Sequence, residues 1–365
     1  MKNYPDHSKI VLTLDAGGTN FVFSAMQNGI AIVEPYTQPS NGTDLKKCLE
    51  SIITGFECVV KKLKEKPVAI SFAFPGPADY PNGIIGDLGN LPAFKGGVAL
   101  GPMLKNHFNI PVFINNDGDL FAYGEALGGI LPEINQELEK AGSSKRYKNL
   151  IGITLGTGFG AGVVINNQLL SGDNSMSTEV WLLSNRRMGN MNAEEGVSTR
   201  AIISNYKHES GEKSTGLMPY DIAQIAKAKL PGDATAAQKA FEMFGQALGD
   251  SIANLITLYD GLVAIGGGLT GASEWYMPAV MRELNHKFIN QKGQETKRLV
   301  QKVFDYNQPA DKEAFLKSYT TNIPIPGTDS TINYDAFPRT VIVHSKLGAS
   351  KAISLGAYNF ALKHL

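Results

Sequence analysis

The sequence has little cysteine, no excess of either charge and no long apolar run, and each absence narrows the class of protein. Cys48 and Cys58 are the only cysteines among 365 residues. They stand ten positions apart in one predicted helix, which is too far for a disulfide within that helix. We interpret both as small apolar core residues of a reduced protein.

Charge and apolar patterning exclude two further classes of protein. Lysine and arginine total 34, aspartate and glutamate total 34, and the net charge is therefore zero. A nucleic-acid-binding protein usually carries an excess of basic residues, and this chain has neither such an excess nor a local run of lysine and arginine. The start, Met1–His7, lacks an apolar signal core, and no stretch approaches the ~20 apolar residues of a membrane span. We expect a cytoplasmic protein that binds neither nucleic acid nor membranes.

What the sequence does contain suffices for packed domains. Hydrophobic residues make up 43% of the chain, which argues against disorder. A chain of 365 residues is too long for one ordinary core, so its length favours two domains.

Two glycine-rich loops in similar settings are the most informative feature. The strand Leu12–Leu14 leads into Asp15-Ala16-Gly17-Gly18-Thr19, and the strand Ile151–Leu155 leads into Gly156-Thr157-Gly158-Phe159-Gly160. Each loop precedes a second apolar strand and an Asn-containing turn. We interpret the chain as two related halves. Two such loops facing across a cleft would hold a nucleotide triphosphate from both sides.

Apolar periodicity gives the order of the other elements. It predicts a helix over about 44–64, strands at 68–73 and 112–114, a long helix ending near Tyr259 and a strand at 262–265. The order strand–strand–strand–helix–strand occurs twice, which predicts an α/β protein with two mixed sheets covered by helices. We interpret the polar segment at about 291–339 as an elaboration of the second domain.

The glycine loops have the groups that a phosphate site needs. Glycines let backbone N–H groups approach phosphate oxygens, Thr19 adds a hydroxyl donor, and Asp15 could orient Mg²⁺ through water. A third turn, Gly266-Gly267-Gly268, follows an apolar strand and would let an adenosine lie against the backbone. The alternative is that these glycines only allow tight turns. Neither phosphate loop fits the Walker pattern, because no Gly-Lys-Ser/Thr follows.

Asp117 is the candidate for chemistry. It follows the strand 112–114, and a carboxylate at the carboxyl end of a strand is well placed to accept a proton from a substrate hydroxyl. The competing interpretation is an N-cap of the helix that starts nearby. Asp119 is a rival for either role.

Taken in order, these motifs resemble the ROK family of sugar kinases, within the actin/hexokinase-like ATPase superfamily. The resemblance covers about residues 9–285 and the C-terminal helix near 350–365. The matching segments are Asp15–Thr19 and Gly156–Gly160 (the two phosphate loops), Phe74-Pro75-Gly76-Pro77, the sugar-binding Asn90-Leu91, the Asn116-Asp117 pair whose Asp is the family's catalytic base, and Gly266–Gly268 (the adenosine motif).

The resemblance implies two actin/hexokinase-like (ribonuclease H-like) domains with a cleft between them. The small lobe would comprise residues 1–117 and 350–365, and the large lobe residues 118–349. It also implies ATP-dependent phosphorylation of a hexose hydroxyl, with glucose as the leading substrate, and a homodimer. ATP and Mg²⁺ would be the cofactors. Sugar contacts would come from Asn90, Asn116, Asp117, Glu179 and Glu194. Nucleotide contacts would come from Asp15, Gly17, Gly18, Thr19, Gly156, Thr157, Gly158, Gly266, Gly267 and Gly268.

One region departs from the family pattern. The family usually has Gly-Glu-x-Gly-His and then a cysteine-rich zinc knuckle, whereas Leu182 stands here at the His position and residues 186–193 replace the knuckle. No cysteine lies beyond position 58, so a thiolate zinc site is impossible here and we expect no zinc. Glu194 has the spacing of the family's second sugar-binding Glu, and Glu195 is the alternative if the register slips by one. Both acids, like Glu179, could instead face solvent.

Two other functions stay open. ROK-like chains include sugar-responsive repressors with a helix-turn-helix ahead of the sugar domain, but the first strand here begins by about Lys9 and the charge is neutral. A sugar-binding regulator or sensor without kinase activity is the alternative, because the His and the knuckle are missing. A kinase for fructose or an N-acetylated hexosamine is the second alternative, since the altered segment 178–198 would distinguish these sugars. The two phosphate loops and Asn116-Asp117 favour the enzyme.

Overall fold

The computed structural model describes residues 6–76, 78–86, 92–211 and 216–365. The chain divides into two units, the first made of Met1–Gly129, Gly162–Thr178 and Leu347–Leu365, and the second of Ile130–Ala161 and Glu179–Lys346. The predicted lobes differ from these units mainly at 118–129 and 162–178, which fall in the first unit.

The described strands and helices follow in chain order. The strands are β1 (Val11–Ala16), β2 (Asn20–Gln27), β3 (Ile30–Ala31), β4 (Tyr36–Pro39), β5 (Ala69–Ala73), β6 (Val112–Asn115), β7 (Leu150–Leu155), β8 (Phe159–Ile165), β9 (Gln168–Leu169), β10 (Leu262–Gly266), β11 (Lys287–Ile289), β12 (Glu295–Lys297), β13 (Lys302–Asp305), β14 (Thr320–Pro324), β15 (Thr331–Asp335) and β16 (Arg339–His344). The helices are α1 (Leu45–Val60), α2 (Leu100–Phe108), α3 (Asp117–Gly128), α4 (Ile130–Lys140), α5 (Thr199–Ser210), α6 (Pro219–Ala226), α7 (Ala234–Tyr259), α8 (Ser273–Leu284), α9 (Pro309–Leu316) and α10 (Ala349–His364).

The first unit is built on a mixed sheet. Its order is β3-β2-β1-β5-β6, and β4 also pairs with β2. β1 and β2 are antiparallel, while β1, β5 and β6 run parallel to one another. β3 ends at Ala31, and the chain then returns to β2 as the separate strand β4.

Side chains of β1 alternate between two cores, as the period of a strand requires. Leu12 and Leu14 join the core that holds the apolar face of α1, whereas Val11 joins the core that holds α10. Asp44 caps α1 by accepting a hydrogen bond from the Lys47 N–H at 3.2 Å. Fully burying a large side chain of α1 such as Phe56 contributes roughly 1.5–3 kcal/mol.

Helices α3 and α10 of the first unit approach each other unusually closely. A Cβ placed on Gly124 would lie 1.9 Å from the Ala352 carbonyl oxygen, and one placed on Gly356 would lie 1.9 Å from the Leu120 carbonyl oxygen. Only glycine therefore fits at these two positions. This contact holds α3, the helix that begins at Asp117, against the rest of the unit.

The second unit contains the parallel strands β13-β16-β10-β7. β10 is buried along its whole length, as expected for a parallel strand covered on both faces. The 26-residue α7 packs against α8 and α5. None of the described helices, α7 included, carries an apolar stretch that would serve as a transmembrane segment.

The predicted elaboration at 291–339 is partly integral to the sheet. β13 pairs in parallel with β16 and forms the sheet's edge. The hairpin β14–β15 stands apart as a two-stranded sheet. Arg339, at the start of β16, is buried and ion-paired with Asp335 at 2.9 Å, so this segment has a charged centre within its packing.

Candidate functional site

In the first unit, the ends of three parallel strands bring predicted site residues to one edge of the sheet. Leu12 is paired with Ile70, and Ala73 is paired with Asn115. Carrying the β1–β5 register forward places Asp15 level with Ala73. The turn after β1 and the start of α3 therefore lie at the carboxyl edge, where α/β sheets bind ligands.

The first glycine turn is exposed and braced from beneath. Gly17, Gly18 and Thr19 are all exposed. The buried Ser40 donates its hydroxyl to the Gly18 carbonyl at 2.6 Å and its N–H to the Thr19 carbonyl at 2.9 Å. With these carbonyls fixed, the turn keeps one shape. Nothing in the sequence marks Ser40 as a partner of the turn.

The sequence left open which residue caps α3 and which acid faces a ligand. Asn116 is the N-cap of α3, since its Oδ1 accepts a hydrogen bond from the Gly118 N–H at 2.8 Å. Asp117 is the first residue of the helix and is exposed, whereas Asp119 is only 7% exposed. Of the two acids, Asp117 is the one placed to meet a ligand.

The surroundings of Asp117 favour its protonated form. Removal from water by the surrounding protein raises the pKa of Asp117, and the like charge of Asp15 raises it further. The Gly118 N–H, which donates to Asp117 Oδ1 at 2.8 Å, lowers the pKa and offsets part of this effect. The side chain nevertheless reaches solvent.

In the second unit, the second glycine loop is held by two side chains from later in the sequence. The Phe159 N–H donates to Glu194 Oε2 at 3.0 Å. Thr199 donates both its N–H and its hydroxyl to the Gly156 carbonyl, at 2.9 and 3.0 Å. Thr157, at the tip of the loop, is exposed. The strand-loop pattern predicts the loop itself but gives no signal for Thr199.

The third glycine turn lies beside the second in the same unit. Gly266 is paired with Thr154 in adjacent parallel strands, so both turns leave the same edge of the sheet. Gly267 has φ +97°, and a Cβ there would lie 2.2 Å from the Leu155 carbonyl oxygen. This position therefore requires glycine. Gly268 is exposed with open space around it.

The predicted sugar-binding acids of the second unit already have protein partners. Glu179 accepts a hydrogen bond from the Trp181 Nε1–H. Arg200 donates to Glu194 Oε1 at 3.0 Å and to Glu195 Oε1 at 2.9 Å. Each carboxylate oxygen has a second lone pair, so these contacts leave room for a ligand. Leu182, at the position of the family's His, is 58% exposed.

Asn90 and Leu91, the predicted sugar-binding pair, lie outside the described residues, as does Pro77 of the Pro-Gly-Pro segment. The preceding residues are described: Tyr80 donates its hydroxyl to the Phe74 carbonyl at 3.0 Å, and both residues are buried.

The residues that replace the zinc knuckle do not fit zinc. Residues 178–198 contain neither cysteine nor histidine. The carboxylates of this segment are already paired with Trp181 or Arg200. Within the described ranges, no three His, Cys, Asp or Glu side chains are grouped so that they could hold a metal ion.

Comparison with known proteins identifies the family. Residues 11–310 match the model of the ROK family. The crystal structure of a glucokinase from Parabacteroides distasonis is similar over the full length of both chains, with 50% sequence identity and a TM-score of 0.90. This likeness confirms the predicted family and the predicted fold class of mixed sheets flanked by helices.

Two curated relatives are more distant. A glucokinase of Thermotoga maritima is 26% identical over 284 residues, which is 72% of this chain and 83% of the relative. An N-acetyl-D-glucosamine kinase of Vibrio cholerae is 27% identical over 277 residues, which is 70% of this chain and 83% of the relative. Relatives at similar identity thus act on different sugars.

Proposed function

We propose that this chain, which belongs to the ROK family, catalyses ATP-dependent phosphorylation of a hexose hydroxyl, with glucose as the leading substrate. The observation that carries the proposal is the position of Asp117. It is an exposed carboxylate at the first turn of α3, at the same sheet edge as the glycine turn after β1. Phosphoryl transfer to a hydroxyl requires a base and a phosphate-binding turn close together, and both would lie at this edge.

Asp117 would accept the proton of the attacking sugar hydroxyl. General-base assistance of this kind typically contributes ~10²–10⁴ in rate. The raised pKa of Asp117 makes its ionised form a stronger base than an ordinary aspartate. The cap provided by Asn116 fixes the helix start, so the carboxylate is held in place before the substrate arrives.

The glycine turns would bind ATP through their backbones. Gly17, Gly18 and Thr19 in the first unit, and Gly156, Thr157 and Gly158 in the second, would supply N–H and hydroxyl donors to the phosphates. Gly266, Gly267 and Gly268 would contact the adenosine. These interactions position the phosphates and neutralise charge, which is most of what a protein contributes to phosphoryl transfer.

Mg²⁺ would be held by the first unit, at the carboxyl edge of its sheet. Asp15 is close enough to Asp117 to raise its pKa, so an Mg²⁺ held by the Asp15 carboxylate, which supplies the hard oxygen donors that Mg²⁺ prefers, would lie near the base. Asp15 would hold the ion through water, and the ion would neutralise charge on the phosphates.

The sugar would be bound by Asn90, Asn116, Asp117, Glu179 and Glu194. The family's His is replaced by Leu182, which removes one hydroxyl partner worth roughly 0.5–1.5 kcal/mol. Such a loss shifts preference among hexoses without removing the base. The N-acetyl-D-glucosamine kinase among the relatives supports an N-acetylated hexosamine as the second candidate substrate.

A coupled assay of ADP release with Mg-ATP tests the proposal. The panel contains glucose, fructose, mannose and N-acetylglucosamine, with no sugar as the control. We expect ADP release that depends on a hexose and is highest with glucose. Calorimetry then separates the enzyme from a sugar sensor, because a sensor would bind sugar but not Mg-ATP. We also expect the protein to be cytoplasmic and to form a homodimer. Light scattering measures the oligomeric state.

A further inference from the structure

The segment in place of the zinc knuckle forms a closed loop, which we call the 184–193 loop. Ser184 and Asn192 form an isolated antiparallel bridge, and the Ala193 N–H donates to the Leu183 carbonyl at 2.7 Å. Asn192 then caps the short turn Ala193–Glu195 by accepting from the Glu195 N–H. The end of this loop therefore sets the position of Glu194.

Arg186 ties the 184–193 loop to the helices beneath it. Its Nη1 donates to Glu283 Oε1 at 2.7 Å and lies 3.7 Å from Asp250 Oδ1. Asp250 belongs to α7 and Glu283 to α8. The loop is thus attached to two helices through one guanidinium group.

A second arginine makes this attachment more than an ordinary surface ion pair. Arg298, only 6% exposed, donates to Glu283 Oε1 at 2.6 Å and also pairs with Asp250 Oδ1. Both acids are largely enclosed, with side chains 13% and 19% exposed. The two acids are therefore held in fixed positions before Arg186 binds them. Isolated exposed pairs lack such preorganisation and contribute little.

The rest of the loop is less well anchored. A cavity of about 170 Å³ lies between it and the helices, lined among others by Asn185, Gln246 and Ser251. The buried Asn185 Nδ2 and the Gln246 Oε1 have no protein partner there. Arg186 is consequently the principal charged link across this gap.

We propose that Arg186, together with the Asp250–Glu283–Arg298 cluster, takes the place of the zinc knuckle as a positioning device for the 184–193 loop and Glu194. The proposal rests on the proposed function for its sugar readout only. It also gives part of the 291–339 segment a role, since Arg298 lies there. Loop order would depend on ionic strength and not on a metal.

Limited trypsin digestion tests the attachment without using activity. The rate of the cut after Arg187 is followed by mass spectrometry, relative to cutting of an unfolded peptide in the same solution. We compare the full-length protein with Arg186→Gln, with the conservative Arg186→Lys, and with the control Arg282→Gln. Arg282 is an exposed arginine of α8 that pairs with Glu242 instead.

We expect Arg186→Gln to be cut roughly two- to fivefold faster, because the 184–193 loop then loses its guanidinium link to Glu283 and Asp250. Arg186→Lys should be intermediate and Arg282→Gln unchanged. High salt should speed cutting of the wild type but not of Arg186→Gln, and a chelator should change neither. The sugar KM of Arg186→Gln should rise by a similar factor while kcat stays within about twofold.

Two results would overturn the proposal: equal cutting of Arg186→Gln and Arg282→Gln under all conditions, or faster cutting of the wild type with chelator. If no variant phosphorylates any sugar, the proposed function fails, and the digestion still decides the attachment.

Discussion

Glu194 Oε2 accepts a hydrogen bond from the backbone N–H of Phe159 at 3.0 Å. A residue predicted to bind sugar is thus hydrogen-bonded directly to the second glycine loop. Its other oxygen is held by Arg200. If Glu194 moves when a sugar binds, this hydrogen bond would move the backbone of the loop that we propose binds phosphate.

Replacing Glu194 should weaken sugar binding. In Glu194→Gln we expect the sugar KM to rise about tenfold, since hydrogen bonds to a charged group contribute ~1.5–3 kcal/mol. The ATP KM should rise less, because the Phe159 contact is weakened and not removed. Glu195→Gln is the matched control, as Glu195 pairs with Arg200 but not with the loop. A raised sugar KM in the control alone would show that Glu195 is the sugar ligand.

Asp117→Asn should stabilise the protein at neutral pH while impairing it as an enzyme. Because the native pKa of Asp117 is raised, the folded state binds more protons than the unfolded state between the ordinary aspartate pKa and the native one. Stability is therefore lost as pH rises through that range. Asparagine has no proton to lose, so thermal unfolding at pH 7 should show a higher Tm for the variant.

The Tm difference between Asp117→Asn and the wild type should vanish at acid pH, below the ordinary aspartate pKa. Asp173→Asn, on an exposed loop of the same unit, is the control and should show no such trend. A lower Tm for Asp117→Asn at pH 7 would show that the carboxylate is held by favourable contacts and that its pKa is not raised.

Gly124→Ala should destabilise the first unit by about 1–3 kcal/mol, because its Cβ would overlap the Ala352 carbonyl oxygen. Gly128→Ala should cost less, since its Cβ would meet only the Leu355 side chain, which can move. Urea unfolding measures both. Equal stability of the two variants would mean that α10 shifts freely against α3.

Leu182→His should change sugar preference. The resemblance places the family's His at this position, and Leu182 is exposed, so a polar ring of similar size fits without disturbing the core. We expect kcat/KM for glucose to rise relative to fructose by roughly two- to tenfold, matching one added hydrogen bond of about 0.5–1.5 kcal/mol. Leu182→Gln is the control for polarity alone. Unchanged ratios would place residue 182 away from the sugar.

The sequence predicts those features that depend on local pattern. The Asp15–Thr19 turn, the strand before Asp117 and the second glycine loop each follow from apolar strands that end in polar or glycine residues. The parallel register of β1, β5 and β6 then brings the first two features to one edge. For the same reason the family resemblance could be recognised from short motifs.

Contacts between distant segments could not be predicted in this way. Long stretches of sequence separate Arg186, Glu283 and Arg298. No local pattern distinguishes these residues from other charged residues, and only the folded structure brings them into contact. The pairing of β13 with β16 has no signal in the sequence, because the segment is polar and weakly periodic. The role of Asn116 as the N-cap of α3 becomes evident only when the helix start is known.

We propose Asp117 as the base for phosphoryl transfer from ATP to a sugar hydroxyl. Sugar-dependent ADP release by Asp117→Asn, measured beside the wild type at saturating Mg-ATP and glucose, tests it most directly. We predict a fall in kcat of ~10²–10⁴ with calorimetric glucose binding retained within about tenfold. Turnover by Asp117→Asn close to that of the wild type would contradict the claim.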